Sequence, residues 1–143
     1  MIKRSQRLTP IARLAERAEH QAAAACGVLR DDMDACSARL EELRAARAGY
    51  LGAGAPGVSV GAGRLRETHR FLNQLDAAIV QLEWQLERKR SSFERQRASW
   101  YDKRVRTKAL GNVIKRSRLA EHRAELEREQ REVDDRPPRP PAT

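Results

Sequence analysis

Residues 65–100 read LRETHRFLNQLDAAIVQLEWQLERKRSSFERQRASW, and one set of positions in them keeps alternating steps of three and four: Leu65, Thr68, Leu72, Leu75, Ile79, Leu82, Leu86, Lys89, Phe93, Gln96 and Trp100. Eight of the eleven are apolar, a stripe too narrow for the broad face of a globular helix and matched to the seam of a coiled coil. The repeat runs on through Lys103, Thr107, Leu110 and Ile114, then fades into Ser117, Glu121 and Arg128 while helix propensity stays high. Such a helix is marginal alone and needs a partner stripe.

The partner lies on the N-terminal side. Thr9-Pro10 reads as a helix start, because Thr accepts bonds from the free first-turn amides and Pro is pre-set for the first helical position. This predicts a basic arm over residues 1–8 and a first helix over 9–51. Ile11, Ala15, Ala18, Ala22, Ala25 and Leu29 follow the repeat. After an extra step of four it resumes as Met33, Cys36, Leu40, Leu43, Arg47 and Tyr50, a slip of the kind that unwinds a coiled coil. Repeated glycines and Pro56 make residues 52–63 a loop. The second helix is expected over 64–135, and a disordered Pro-rich tail over 136–143.

The fold class is therefore all-α: an antiparallel two-helix coiled-coil hairpin with a longer C-terminal helix. Closure about the loop's midpoint sets Leu43 opposite Leu72, Leu40 opposite Leu75, and Leu8 near Thr107. Beyond that point roughly 28 residues of the second helix, ~40 Å at the standard rise, have no partner.

Composition agrees. In 143 residues, 4% are aromatic and 34% charged, a poor stock for a globular core. The formal net charge of +9 calls for acidic partners. No apolar run approaches the roughly 18 residues that span a bilayer, and Met1-Ile2-Lys3-Arg4 is not followed by a signal-peptide core, so the chain reads as cytosolic. Cys26 and Cys36 lie about 15 Å apart along one helix, beyond disulfide reach.

Catalytic chemistry has no foothold. The glycine-rich loop lacks the Gly-Lys-Ser/Thr ending of a phosphate-binding loop. His20, His69 and His122 form no pair at ligand spacing, so neither a metal nor a cofactor is expected. The carboxylates alternate with arginines on exposed faces. A helical pair also lacks the concave pocket that shifts a pKa or excludes water.

Two surface features remain. Residues 103–118 hold Lys103, Arg104, Arg106, Lys108, Lys115, Arg116 and Arg118 with no acidic residue among them. The run is either a solvated face or a docking element for an acidic partner. Leu110, Val113 and Ile114 keep an apolar strip within it and favour docking. The second feature is a stripe beside the seam: Arg39, Leu43, Ala46 and Tyr50 on the first helix, and Phe71, Leu75, Ala78 and Leu82 on the second. Arg39, Ala46, Phe71 and Ala78 each precede a seam residue, and such positions emerge on one face of an antiparallel pair. These residues either widen the seam or form an exposed patch. Trp84 falls off the seam too and decides little.

Leu14-Ala15-Glu16-Arg17 with the Ala-rich turn to Gly27, Arg70-Phe71-Leu72-Asn73-Gln74-Leu75-Asp76-Ala77-Ala78-Ile79, Trp100 with its basic followers to Ala109-Leu110, and Glu129-Gln130-Arg131-Glu132-Val133-Asp134-Asp135 together resemble the flagellar export protein FliJ family, in order and spacing over nearly the whole chain. The resemblance implies a non-enzymatic, stalk-like component of the type III export apparatus, cytoplasmic and peripherally associated with the inner membrane at the flagellar base. It implies binding to the hexameric export ATPase FliI and promotion of its ring. It further implies contacts with the export gate protein FlhA and the ATPase regulator FliH, and escort of export chaperones. The family's gate-binding surface would fall on Arg39, Leu43, Ala46, Tyr50, Phe71, Leu75, Ala78 and Leu82, with Ala46 and Leu82 departing from the polar or aromatic residues often found there. The basic run would face the ATPase.

Two other readings compete: the equivalent stalk of a virulence type III secretion system, and a basic coiled coil that binds nucleic acid. Against the latter, Glu121, Glu125, Glu127, Glu129 and Glu132 follow the basic run and would repel phosphates.

Overall fold

The computed structural model describes residues 2–53 and 61–141. It contains two helices packed against each other, α1 (Arg4–Ala53) and the longer α2 (Ala62–Asp134). α1 extends to Ala53 and α2 begins at Ala62, so both encroach on the expected 52–63 loop; residues 54–60 lie outside the described residues. α2 ends before Pro137, which cannot continue a helix. Its last turn is closed by the Asp135 amide on the Arg131 carbonyl (2.9 Å) and the Arg136 amide on the Val133 carbonyl (3.3 Å). The helices form two compact units, Ala22–Trp100 and Met1–Gln21 with Tyr101–Thr143.

In Ala22–Trp100 the seam on α1 is Ala22, Cys26, Leu29, Met33, Cys36, Leu40 and Leu43, all buried or half-buried. Cys26 takes the place expected of Ala25, which is exposed, and with it the extra step of four disappears. The seam on α2 is the expected one from Thr68 to Trp100, with Leu75 and Ile79 buried, while Leu65 is 49% exposed. Cross-helix polar contacts set the register. Lys89 donates to the Asp32 carboxylate at 2.7 Å, Arg44 to Glu83 at 3.0 Å, and Arg47 pairs with Asp76. The Cys36 thiol lies 3.8 Å from the Leu82 carbonyl. Leu43 is accordingly displaced from Leu72 by about one heptad. Every heptad of one apolar stripe matches every heptad of another, so loop geometry is a weak guide to register and the charged flanks select it. The Asp32 contact also holds the seam residue Lys89 above its ordinary pKa.

In the other unit Ser5, Leu8, Ala12, Ala15 and Glu19 form the α1 seam, and Ala12 rather than Ile11 is buried. They face Thr107, Leu110, Ile114, Ser117 and Glu121, each buried or half-buried. α1 begins at Arg4, ahead of Thr9-Pro10, and Pro10 lies inside it. The reason is a cap supplied from the other helix. The Glu121 carboxylate accepts from the Ser5 amide at 3.0 Å and the Ser5 hydroxyl at 2.6 Å, and Lys3 lies 3.7 Å from Glu125. A carboxylate there satisfies a first-turn amide and sits at the positive end of the helix dipole. The expected arm over residues 1–8 is thereby mostly helix.

The bare basic overhang is not observed. α1 accompanies α2 as far as Glu121 and Glu125, so the run 103–118 belongs to a paired helix. Among the described residues, no hydrogen bond or ion pair joins residues 126–134 to α1. That remainder carries Glu127, Glu129, Glu132 and Asp134 against Arg128 and Arg131, so it is acidic rather than basic.

Gly111 is half-buried within α2, and a Cβ added there would meet nothing within 4 Å. Helix-interior glycine costs entropy without a compensating contact, so Gly111→Ala should stabilise the fold by about 0.5–1 kcal/mol, seen as a raised thermal midpoint.

Candidate interaction surfaces

The stripe beside the seam divides on burial. Leu75 is 8% exposed and is core, Leu43, Ala78 and Leu82 are half-buried, and Arg39, Ala46, Tyr50 and Phe71 are exposed. Leu75 is thus withdrawn from any surface by its place on the seam. Arg39 bonds Glu42 one turn along its own helix at 3.1 Å. Tyr50 and Phe71 stack across the helices with ring centroids 4.5 Å apart and planes tilted by 34°. A pair of this kind is worth roughly 0.5–1.5 kcal/mol beyond area burial, and it fixes two aromatic edges where a partner can reach them.

All seven basic side chains of residues 103–118 are exposed, but they do not form one patch. Lys103 and Arg106 lie beside Ile11 and Leu14 of α1. Arg104 and Lys108 line a groove with Tyr101 and Val105. Arg118 lies with His122 beside the Ser5–Glu121 cap. Linear sequence places these cations in one run, while 100° steps distribute them around the helix.

Sequence reasoning missed a second stripe on α2. Val105, Leu119, Leu126 and Val133 recur at multiples of seven and are each at least half exposed, with Tyr101 one turn before the first. The signal was present as a heptad offset from the seam, but Asn112 interrupts it and basic residues surround it.

The Glu121 cap carries a titration. Its hydrogen bonds from Ser5, first from the side chain and then from the backbone, hold the carboxyl below its ordinary value of 4.5. A depressed folded pKa adds stability that is present above the ordinary value and lost as pH falls through the folded one. The Ser5 end of α1 should therefore loosen on acidification below about 4.5, read as faster exchange of the Ser5 and Arg7 amides. Glu121→Gln should remove most of that pH dependence.

In each unit two helices close along a seam and leave aromatic or basic side chains exposed on its flanks, which defines the chain as a coiled-coil protein. The Flagellar FliJ protein family model matches residues 4–137, and the chain belongs to that family. It is a non-enzymatic stalk protein of the flagellar type III export apparatus. No curated protein and no solved structure matches the chain. No helix among the described residues is long and apolar enough to cross a membrane.

Proposed function

We propose that this chain couples the export ATPase FliI to the export gate protein FlhA. The unit Met1–Gln21 with Tyr101–Thr143 engages the ATPase ring and promotes its assembly, while the stacked Tyr50 and Phe71, with Arg39, Leu43, Ala46, Ala78 and Leu82 along the same stripe, meet the gate. Contact with the ATPase regulator FliH, escort of export chaperones and residence at the cytoplasmic face of the inner membrane belong to the same reading.

The observation that supports it is the second face of α2, where exposed Tyr101 and Val105 share a groove with Arg104 and Lys108 although the seam side is already covered by α1. Apolar side chains between cations suit an acidic protein surface and not a bare polyphosphate, whose contacts need charge alone. The test is reversal of Arg104, Arg106, Arg116 and Arg118 to Glu, read as stimulation of ATP hydrolysis by the partner ATPase. Stimulation should fall, and stimulation unchanged across a salt series overturns the proposal.

A further inference from the structure

The unit Ala22–Trp100 carries an open cleft on the edge of the seam away from Phe71 and Ala78. Phe71 and Ala78 each precede a seam residue, whereas the cleft's Ala23, Gly27, Arg30 and Arg97 each follow one. The cleft measures about 650 Å³. Ala23 and Gly27, one turn apart, form its low α1 bank, and Met33, Phe93 and Trp100 supply an apolar lining. A Cβ added at Gly27 would meet nothing within 4 Å, so the bank is open space and not packed backbone.

Charge on this face is unequally resolved. Nearer the loop, Arg44 is neutralised by Glu83 across the helices at 3.0 Å. At the cleft, Arg30 on one bank and Arg97 on the other have no hydrogen bond or ion pair among the described residues, and Asp34 is the one carboxylate that lines it. Two guanidiniums thus flank an apolar slot from opposite helices. Small residues four apart let another helix approach to an axial distance of about 8–10 Å, and Arg pairs bidentately with carboxylates on its flanks.

We propose that this cleft docks an acidic amphipathic helix of a partner protein, which lays an apolar side chain against Phe93 and Trp100 and gives carboxylates to Arg30 and Arg97. From Ala23 to Asp34 the bank is ~16 Å long, room for about three turns of such a helix. A second copy of the chain is the poorer occupant, because its acidic residues 126–134 still carry Arg128 and Arg131 and a net charge of +9 on each copy opposes their approach. The proposal stands apart from the ATPase and gate surfaces, which use other residues.

The test uses the full chain carrying Trp84→Phe, a change at a 66% exposed position that leaves Trp100 as the sole indole. Two synthetic helical peptides with the same leucine face are titrated in, one with glutamate flanks and one with lysine flanks. The acidic peptide should shift Trp100 emission to the blue and saturate, and the basic peptide should not. Arg30→Glu with Arg97→Glu should raise Kd about tenfold or more, and Gly27→Leu, which fills the slot, should do the same with helicity intact by circular dichroism. Arg88→Glu with Arg95→Glu, an equal charge change on exposed positions, should leave Kd within about twofold. Equal binding of both peptides, an unresponsive Trp100, wild-type affinity in Gly27→Leu, or an equal loss in the Arg88 and Arg95 control overturns the proposal. A self-associated chain that Gly27→Leu dissociates also overturns it, in favour of a second copy.

Discussion

Leu40→Asp should unfold the unit Ala22–Trp100 at temperatures where the wild-type chain remains helical. Leu40 is 3% exposed, among the most buried side chains in a seam whose buried members are otherwise small or few: Ala22, Cys36, Leu75 and Ile79. Truncating a buried leucine to alanine costs roughly 2–5 kcal/mol through lost transfer energy and the cavity left behind. Aspartate adds the desolvation of a carboxylate with no partner on the seam. The expected loss is therefore at least about 3 kcal/mol, a large share of the 5–15 kcal/mol typical of a folded domain. Far-UV circular dichroism melts would show it. Val28→Asp is the control. Val28 lies on the same helix but is 69% exposed, and surface substitutions usually stay within about 0.5 kcal/mol. Equal melting of the two variants would mean that the seam is not the core.

The second large effect is functional. Reversing Arg104, Arg106, Arg116 and Arg118 removes most of the +9 formal net charge and acts on side chains that are all exposed. Electrostatic steering changes association rates by roughly 10–1000-fold at low ionic strength and is screened beyond about 8–10 Å at physiological salt. At low salt the apparent affinity for the partner ATPase should drop about a hundredfold, with a smaller deficit as salt rises. Helicity is checked in parallel, because Arg118 lies beside Glu121 and a glutamate there would set like charges together. Reversing Arg66, Arg70, Arg88 and Arg95 instead makes the same change in net charge on other exposed positions. It should leave stimulation close to wild type if position matters, and an equal loss would reduce the effect to net charge alone.

The two surfaces differ in how they are held. Tyr50 and Phe71 are set against each other by ring stacking, so the aromatic patch is pre-shaped and a partner need order little to use it. The basic side chains stand on the flanks of a paired helix and have long, mobile stems whose ordering a partner must offset. Affinity at the first should rest on contact area, and at the second on ionic strength.

The fold class, the α2 seam from Thr68 to Trp100 and a longer second helix follow from the amino-acid pattern, because a 3,4 apolar repeat can be buried in one way only, against another such stripe. The pattern also brought Tyr50 and Phe71 onto one face, since Tyr50 ends the α1 repeat and Phe71 flanks the α2 repeat with the seam's own spacing. Four things were decided by tertiary structure alone. Register is one: the repeat is unchanged by a shift of seven, and charged pairs such as Arg44 on Glu83, Arg47 on Asp76 and Lys89 on Asp32 distinguish the shifts. The start of α1 is another, because its cap comes from Glu121, 116 positions away, where no local signal could announce it. The α1 seam is the third. With Ala and Cys at so many positions the stripe is weakly marked: Ala25 and Cys26 are near-equal choices, Ile11 outranks Ala12 in hydrophobicity yet stays 45% exposed, and packing selected the frame without a slip. The fourth is the fate of the basic run, read along the chain as one bare patch. It became three separate settings on a paired helix once register carried α1 to Glu121 and Glu125, for a helix turns its neighbours apart while a linear sequence keeps them together.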